Sequence, residues 1–195
     1  MIIGITGGTG CGKTTALEAI AQLGGTVIDC DRVYHRLLKQ DTALLSAIEA
    51  RFPGTVENGT LQRKKLGATV FSDEAALLDL NAITHKAVKA EVLRLLTPAP
   101  KLAAIDAIGL FEGGLAELCD VTVAITAPEE SRIARLMARD GITADYAKTR
   151  IAAQKSPQWF REHCDHVLEN DASAQDFLTK CLAFFRQLAI IEEKQ

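Results

Sequence analysis

The sequence predicts an α/β fold in which a parallel β-sheet carries helices on both faces. Two observations predict it. Five short β-rich runs recur along the 195 residues, at Met1 to Thr6, Thr26 to Asp29, Leu102 to Asp106, Val121 to Thr126 and Asp165 to Glu169, and helical stretches separate them. Parallel strands need long crossover connections, so strands alternating with helices read as βαβ units. The second observation is the segment Gly7-Gly8-Thr9-Gly10-Cys11-Gly12-Lys13-Thr14, which follows the apolar Ile2, Ile3 and Ile5 and precedes a helical pattern containing Ala16, Leu17 and Ile20. Strand, glycine-rich loop and helix in that order are the context of a phosphate-binding loop, or P-loop.

Glycines let such a loop wrap closely around phosphate oxygens, with successive N–H groups and the helix N-terminus facing the anion. The loop by itself implies ATP or GTP, and the residues expected to bind ATP are Gly8, Thr9, Gly10, Cys11, Gly12, Lys13, Thr14 and Thr15. Lys13 would bridge the β- and γ-phosphates, the Thr14 hydroxyl would ligate Mg2+, and Thr15 would support the α-phosphate side. Cys11 is expected to contribute its backbone rather than its thiol. The fold expected is the three-layer P-loop NTPase fold.

Composition narrows the function classes. A chain of this length buries one substantial core, and a single domain over residues 1–195 is expected. Hydrophobic residues at 48% and charged residues at 24% exclude a disordered or fibrous chain. A net charge of −3 supplies no general attraction for nucleic acid, so any anion site must be local, and no nucleic-acid partner is expected. The five cysteines are odd in number and contain no CxxC pair, which argues against a disulfide framework or zinc knuckle and for a reducing, cytoplasmic compartment. No secretory signal pattern and no membrane-spanning apolar run is visible, so no membrane association is expected.

Between the second and third strands, residues 41–97 read almost wholly as helix, with apolar spacing at Leu77, Leu80, Thr84, Val88 and Val92. This is too long for a crossover and reads as a helical substrate-binding insertion, stopped by Thr97-Pro98-Ala99-Pro100. Turn residues at Phe52-Pro53-Gly54 and Glu57-Asn58-Gly59 mark a connection within it. A second excursion, over about 127–156, is expected to form a helical lid. Its first helix would be capped by Thr126, with Pro128 in the first turn and Glu129 completing a capping box, and would end near Gly141. Another helix would begin at Thr143 and end before Ser156-Pro157.

Asp29-Cys30-Asp31 ends the second strand. Residues two apart in an extended segment share a face, so both carboxylates would point into the crevice beyond the sheet's C-terminal edge, where such folds bind ligands. Phosphoryl transfer needs a group that deprotonates the attacking hydroxyl and one that helps hold metal, and this pair supplies both. Alternatively Asp31 caps a helix beginning at Arg32. Asp106 has the same two readings, metal ligand or cap. Arg132, Arg135 and Arg139 form a stripe at helical spacing, directed away from Ile133 and Met137, either as a solvated face or as a lid surface carrying charge to the phosphates. His163-Cys164-Asp165-His166 is not read as a metal site, because consecutive residues do not converge on one ion.

In order along the chain, the P-loop, Val27-Ile28-Asp29-Cys30-Asp31, Gly59-Thr60-Leu61-Gln62-Arg63, Leu80-Asn81-Ala82-Ile83-Thr84-His85, Leu110-Phe111-Glu112, Arg135 with Arg139-Asp140-Gly141, Arg150-Ile151 with Gln154, and Asp165 with Asn170 resemble the dephospho-coenzyme A kinase family. The resemblance covers nearly the whole chain. It implies transfer of the γ-phosphoryl of ATP to the ribose 3'-hydroxyl of dephospho-CoA, with Mg2+ neutralising the phosphates. It makes Asp31 the general base, places Arg63 and His85 in the insertion that receives dephospho-CoA, brings Arg139 over the transferring phosphate, and sets Asn170 near the adenine. The chain departs from the family pattern at Ile108 and Lys86, where proline is common, and at Arg132, where the lid commonly has glutamine.

Overall fold

The computed structural model describes residues 1–192, with side chains through Ala189. In chain order the elements are β1 (Ile2–Thr6), α1 (Lys13–Gln22), β2 (Thr26–Asp29), α2 (Cys30–Gln40), α3 (Thr42–Arg51), β3 (Val56–Glu57), β4 (Thr60–Leu61), α4 (Arg63–Val70), α5 (Glu74–Leu95), β5 (Ala103–Asp106), β6 (Val121–Thr126), α6 (Glu129–Asp140), α7 (Ala144–Ala152), α8 (Pro157–His163), β7 (His166–Glu169) and α9 (Ala174–Glu192). They form two compact units, one of Met1–Ile28, Ala99–Leu110 and Leu115 onward, the other of Asp29–Pro98 with Phe111–Gly114. Among the described residues no helix is long and apolar enough to cross a membrane.

The first unit is built on a five-stranded sheet in the order β2-β5-β1-β6-β7. β1 pairs in parallel with β5 and with β6, and β6 pairs in parallel with β7. The central strand is apolar because it is covered: Ile3 and Ile5 are fully buried, clustered with Ala16, Ala19 and Ile20 of α1 and Phe177, Cys181 and Phe185 of α9. Burying a side chain the size of Phe177 or Phe185 is worth about 1.5–3 kcal/mol, so α9 holds α1 firmly under the loop that precedes it. At the other end of the sheet, the Asp165 carboxylate accepts the Thr122 N–H at 2.8 Å and the Thr122 hydroxyl at 2.7 Å. These bonds hold the Asp165 carboxyl below the usual carboxylate range. Beyond β7, the Asn170 N–H donates to Thr126 O at 2.8 Å. The β6–β7 register is thus tied at both ends, which places Asn170.

The second unit is organised by α5, whose buried stripe Ala76, Leu80, Thr84, Val88 and Val92 advances four residues at a time and packs against α2, α3 and α4. Asp73 caps α5 by accepting the N–H groups of Ala75 and Ala76. Residues 41–97 are not continuous helix. The Glu57-Asn58-Gly59 turn joins two antiparallel strands, with Val56 opposite Leu61 and Glu57 opposite Thr60. Asn58 and Gly59 take positive φ, 50° and 72°, as a two-residue hairpin requires. Strands of two residues each are too short to show an alternating pattern.

Other local expectations also change. α6 begins at Glu129 with Pro128 as N-cap, while Thr126 completes β6 with its hydroxyl buried, so Thr126 caps nothing. Ser156-Pro157 starts a helix as well as following one: the Ser156 hydroxyl accepts the Trp159 N–H and Pro157 opens α8.

Candidate active site

The first unit positions the glycine-rich loop. β1 delivers the chain into it and α1 receives it at Lys13, with Gly12 as N-cap in the left-handed region, φ 97° and ψ 29°. A Cβ on Gly12 would lie 2.2 Å from Asn170 Nδ2, so both the backbone angle and the space demand glycine. Within the loop, the Cys11 N–H donates to Gly8 O at 3.3 Å and Lys13 Nζ reaches back to Gly7 O at 3.0 Å. The Cys11 side chain is buried and burial pushes its thiol pKa up, against the pull of Arg132 and Lys13, so it is not an activated thiolate.

The loop carbonyls are tied back by side chains distant in sequence. Arg132 Nε donates to Thr9 O at 2.9 Å, Arg135 Nη1 to Gly10 O at 3.1 Å, and Asn170 Nδ2 to Cys11 O at 2.9 Å. Arg135 Nη2 also donates to Asn170 Oδ1 at 3.2 Å. In a planar trans peptide, C=O and the following N–H point in opposite directions. Holding Thr9 O and Cys11 O outward therefore turns the N–H groups of Gly10 and Gly12 inward, where they join the α1 N-terminus in facing an anion. Thr14 and Thr15 lie in the first turn of α1, and Thr14 is exposed. Asp106 ends β5 in register with Ile5 of β1, one residue before the strand end that opens the loop.

A family model for dephospho-CoA kinase matches residues 1–176. The chain belongs to the dephospho-CoA kinase family. It is 37% identical over 192 residues to the dephospho-CoA kinase of Deinococcus radiodurans, covering 96% of this chain and 92% of that one. It is also 37% identical over 173 residues to that of Mesorhizobium japonicum, covering 87% of each. Among solved structures, the dephospho-CoA kinase from Campylobacter jejuni superposes with a TM-score of 0.72 at 25% identity over 98% of both chains. Shikimate kinase from Acinetobacter baumannii, at 18% identity with a TM-score of 0.55 over 95% of this chain and 93% of its own, shares the P-loop kinase fold. As a dephospho-CoA kinase, the chain is an ATP-dependent phosphotransferase acting on dephospho-CoA.

Asp31 does not lie on the strand: β2 stops at Asp29, whose carboxylate caps α2 by accepting the Arg32 N–H at 2.9 Å. Asp29 and Asp31 therefore do not share a strand face, and the capping role belongs to Asp29. Asp31 is the second residue of α2, exposed, with its carboxylate taking no hydrogen bond or ion pair from the described residues. Arg63 opens α4 and lines a cavity of about 740 Å³ together with His35, Lys39, Thr60 and Leu61, all within the second unit. His85 is half-buried in the middle of α5 and is not among the residues lining that cavity.

The arginine stripe of α6 divides. Arg132 is buried and shares a face with the fully buried Leu136, one helical turn on, while Met137 is exposed. The buried face of α6 is thus not the one carrying Met137, and a solvated face does not describe Arg132. Arg139 is exposed in the last turn and grips Asp140 through Nε at 2.7 Å and Nη2 at 3.1 Å. Arg139 and Arg150 together pull the Asp140 carboxyl down to about 2. Gln154 accepts the Thr9 N–H at 2.8 Å. Nothing in the local pattern around a residue 145 positions away could have assigned it there.

Proposed function

We propose that MgATP is held by the loop of the first unit and that Asp31 takes the proton of the 3'-hydroxyl of dephospho-CoA. The observation that carries this reading is the phosphate loop itself, with its carbonyls bonded outward and the amides of Gly10 and Gly12 turned the other way. Those amides and the first turn of α1 hold the triphosphate, with Thr15 toward the α-phosphate. Lys13 moves from Gly7 O to the β- and γ-phosphate oxygens, exchanging a neutral acceptor for charged ones. Asn170 serves the nucleotide by holding Cys11 O.

The donors near the loop fit Mg2+, which takes hard oxygen ligands: the Thr14 hydroxyl and the Asp106 carboxylate would hold it. When bound, it neutralises charge on the phosphates. Asp31 accepts the hydroxyl proton as the oxygen bonds to the γ-phosphorus and the bond to the β-γ bridging oxygen breaks, releasing ADP. Residues 127–156 act as the lid, swinging Arg139 from Asp140 to the transferring phosphoryl group, where a guanidinium stabilises the spread charge. Residues 41–97 receive dephospho-CoA, with Arg63 and His85 as its contacts. The free thiols of all five cysteines support a cytoplasmic setting.

Incubation of the protein with MgATP and dephospho-CoA, followed by mass analysis, is expected to show one phosphoryl group on the ribose 3'-oxygen. Phosphate on uridine or a nucleoside monophosphate, and none on dephospho-CoA, would refute the acceptor. The cavity beside Arg63, basic through Lys39 and Arg63, supplies a more local test. Arg63→Ala is expected to raise KM for dephospho-CoA about tenfold, the value of one charge-assisted hydrogen bond, while KM for ATP stays within about twofold. An unchanged KM for dephospho-CoA removes Arg63 from the acceptor site.

A further inference from the structure

Among the described residues Arg132 is the one charged side chain that is fully buried, at 5% exposure. Its hydrogen bonds go to two neutral oxygens, Thr9 O from Nε at 2.9 Å and Gln154 Oε1 from Nη2 at 3.0 Å. The same Gln154 oxygen accepts the Thr9 N–H, which closes a ring of three residues and holds both peptides that flank Thr9. No carboxylate of the described residues forms an ion pair with the guanidinium. The guanidinium also lies against Gly8, where a Cβ would stand 2.3 Å from Nη2. A buried charge without a counter-charge is strongly unfavourable by itself. Here it sits against the backbone of a loop that binds polyanions.

We propose that Arg132 is a positioning residue for the phosphoryl donor, locking the Thr9–Gly10 peptide through Thr9 O and the Gly8–Thr9 peptide through Gln154, and drawing its counter-charge from the bound triphosphate. This rests on the assignment of the loop to ATP. A glutamine at this position can supply neutral hydrogen bonds to the loop but no charge. Replacement by glutamine therefore removes the electrostatic contribution while leaving a side chain able to bond the loop.

The test is calorimetric titration of the intact protein with ATP, ADP and AMP, alongside thermal unfolding with and without nucleotide. Arg132→Gln is expected to weaken ATP about tenfold, ADP less and AMP hardly at all, because the lost attraction scales with phosphate charge. The nucleotide-free variant should be as stable as the parent or more so, since it no longer buries an unpaired charge, while its ATP-induced rise in Tm shrinks. Arg132→Lys should recover most of the ATP affinity. Equal losses for all three nucleotides, no loss for any, or a lysine variant indistinguishable from the glutamine variant overturns the proposal. Lys13→Ala, measured in parallel, separates this from failure of the loop assignment, because wild-type ATP affinity in that variant would refute the loop assignment itself.

Discussion

Asp31→Asn is expected to lower kcat by about a thousandfold, within the range that a positioned general base contributes, while the Kd for ATP changes by less than about twofold. Asparagine retains nearly the same shape and can still accept a hydrogen bond from the acceptor hydroxyl, so positioning survives, but it cannot take the proton. The fold should barely notice. Asp29, not Asp31, caps α2, and its bond to the Arg32 N–H is untouched. An acidic residue in the first helical turn is worth about 0.3–1 kcal/mol, so Tm should fall by only a few degrees. Asp29→Asn is the informative companion, because asparagine is an equally good N-cap and the Asp29 carboxylate is already engaged there. The base reading requires the large loss at residue 31 and a small one at residue 29. Unchanged turnover in Asp31→Asn excludes Asp31 as the base.

The sheet was the most legible part of the chain. β2 and β6 occupy the expected residues, and β1, β5 and β7 begin one residue later than expected, because apolar runs bounded by turns leave little choice of register. The phosphate loop was legible because its chemistry is local: strand, glycines, Lys13 and helix are contiguous in sequence. Asp31 was expected to continue the second strand, but the strand ends at Asp29 and Asp31 is the second residue of the helix that begins at Cys30. What could not be read is the set of contacts that fixes the loop. Arg132, Gln154 and Asn170 reach Thr9 and Cys11 across more than 120 residues. For α6, pattern alone sets apolar Met137 against charged Arg132, yet Arg132 is the buried one because a buried backbone carbonyl supplies its partner. Periodicity measures side-chain polarity and carries no information about which polar groups find partners inside.

Lys13→Ala is expected to reduce kcat by about a thousandfold, comparable with removal of an oxyanion-stabilising donor, and to weaken ATP binding as well. Lys13 is the first residue of α1, and its ammonium spans the loop to Gly7 O at 3.0 Å. That contact is half-buried and has a charged donor, so its loss should cost the fold about 1.5–3 kcal/mol. The kinetic loss has a different origin. Charge on the phosphates is redistributed as the bond to the departing ADP breaks, and a compact cation held at the loop favours the transition state over the bound substrate. Alanine removes that charge but leaves the outward bonds of Thr9 O, Gly10 O and Cys11 O in place, so the amides still face the anion. The expected signature is therefore residual ATP binding with turnover nearly abolished. If Lys13→Ala turns over dephospho-CoA at the wild-type rate under saturating ATP, the loop binds the donor without stabilising its transfer, and the catalytic charge must be supplied elsewhere.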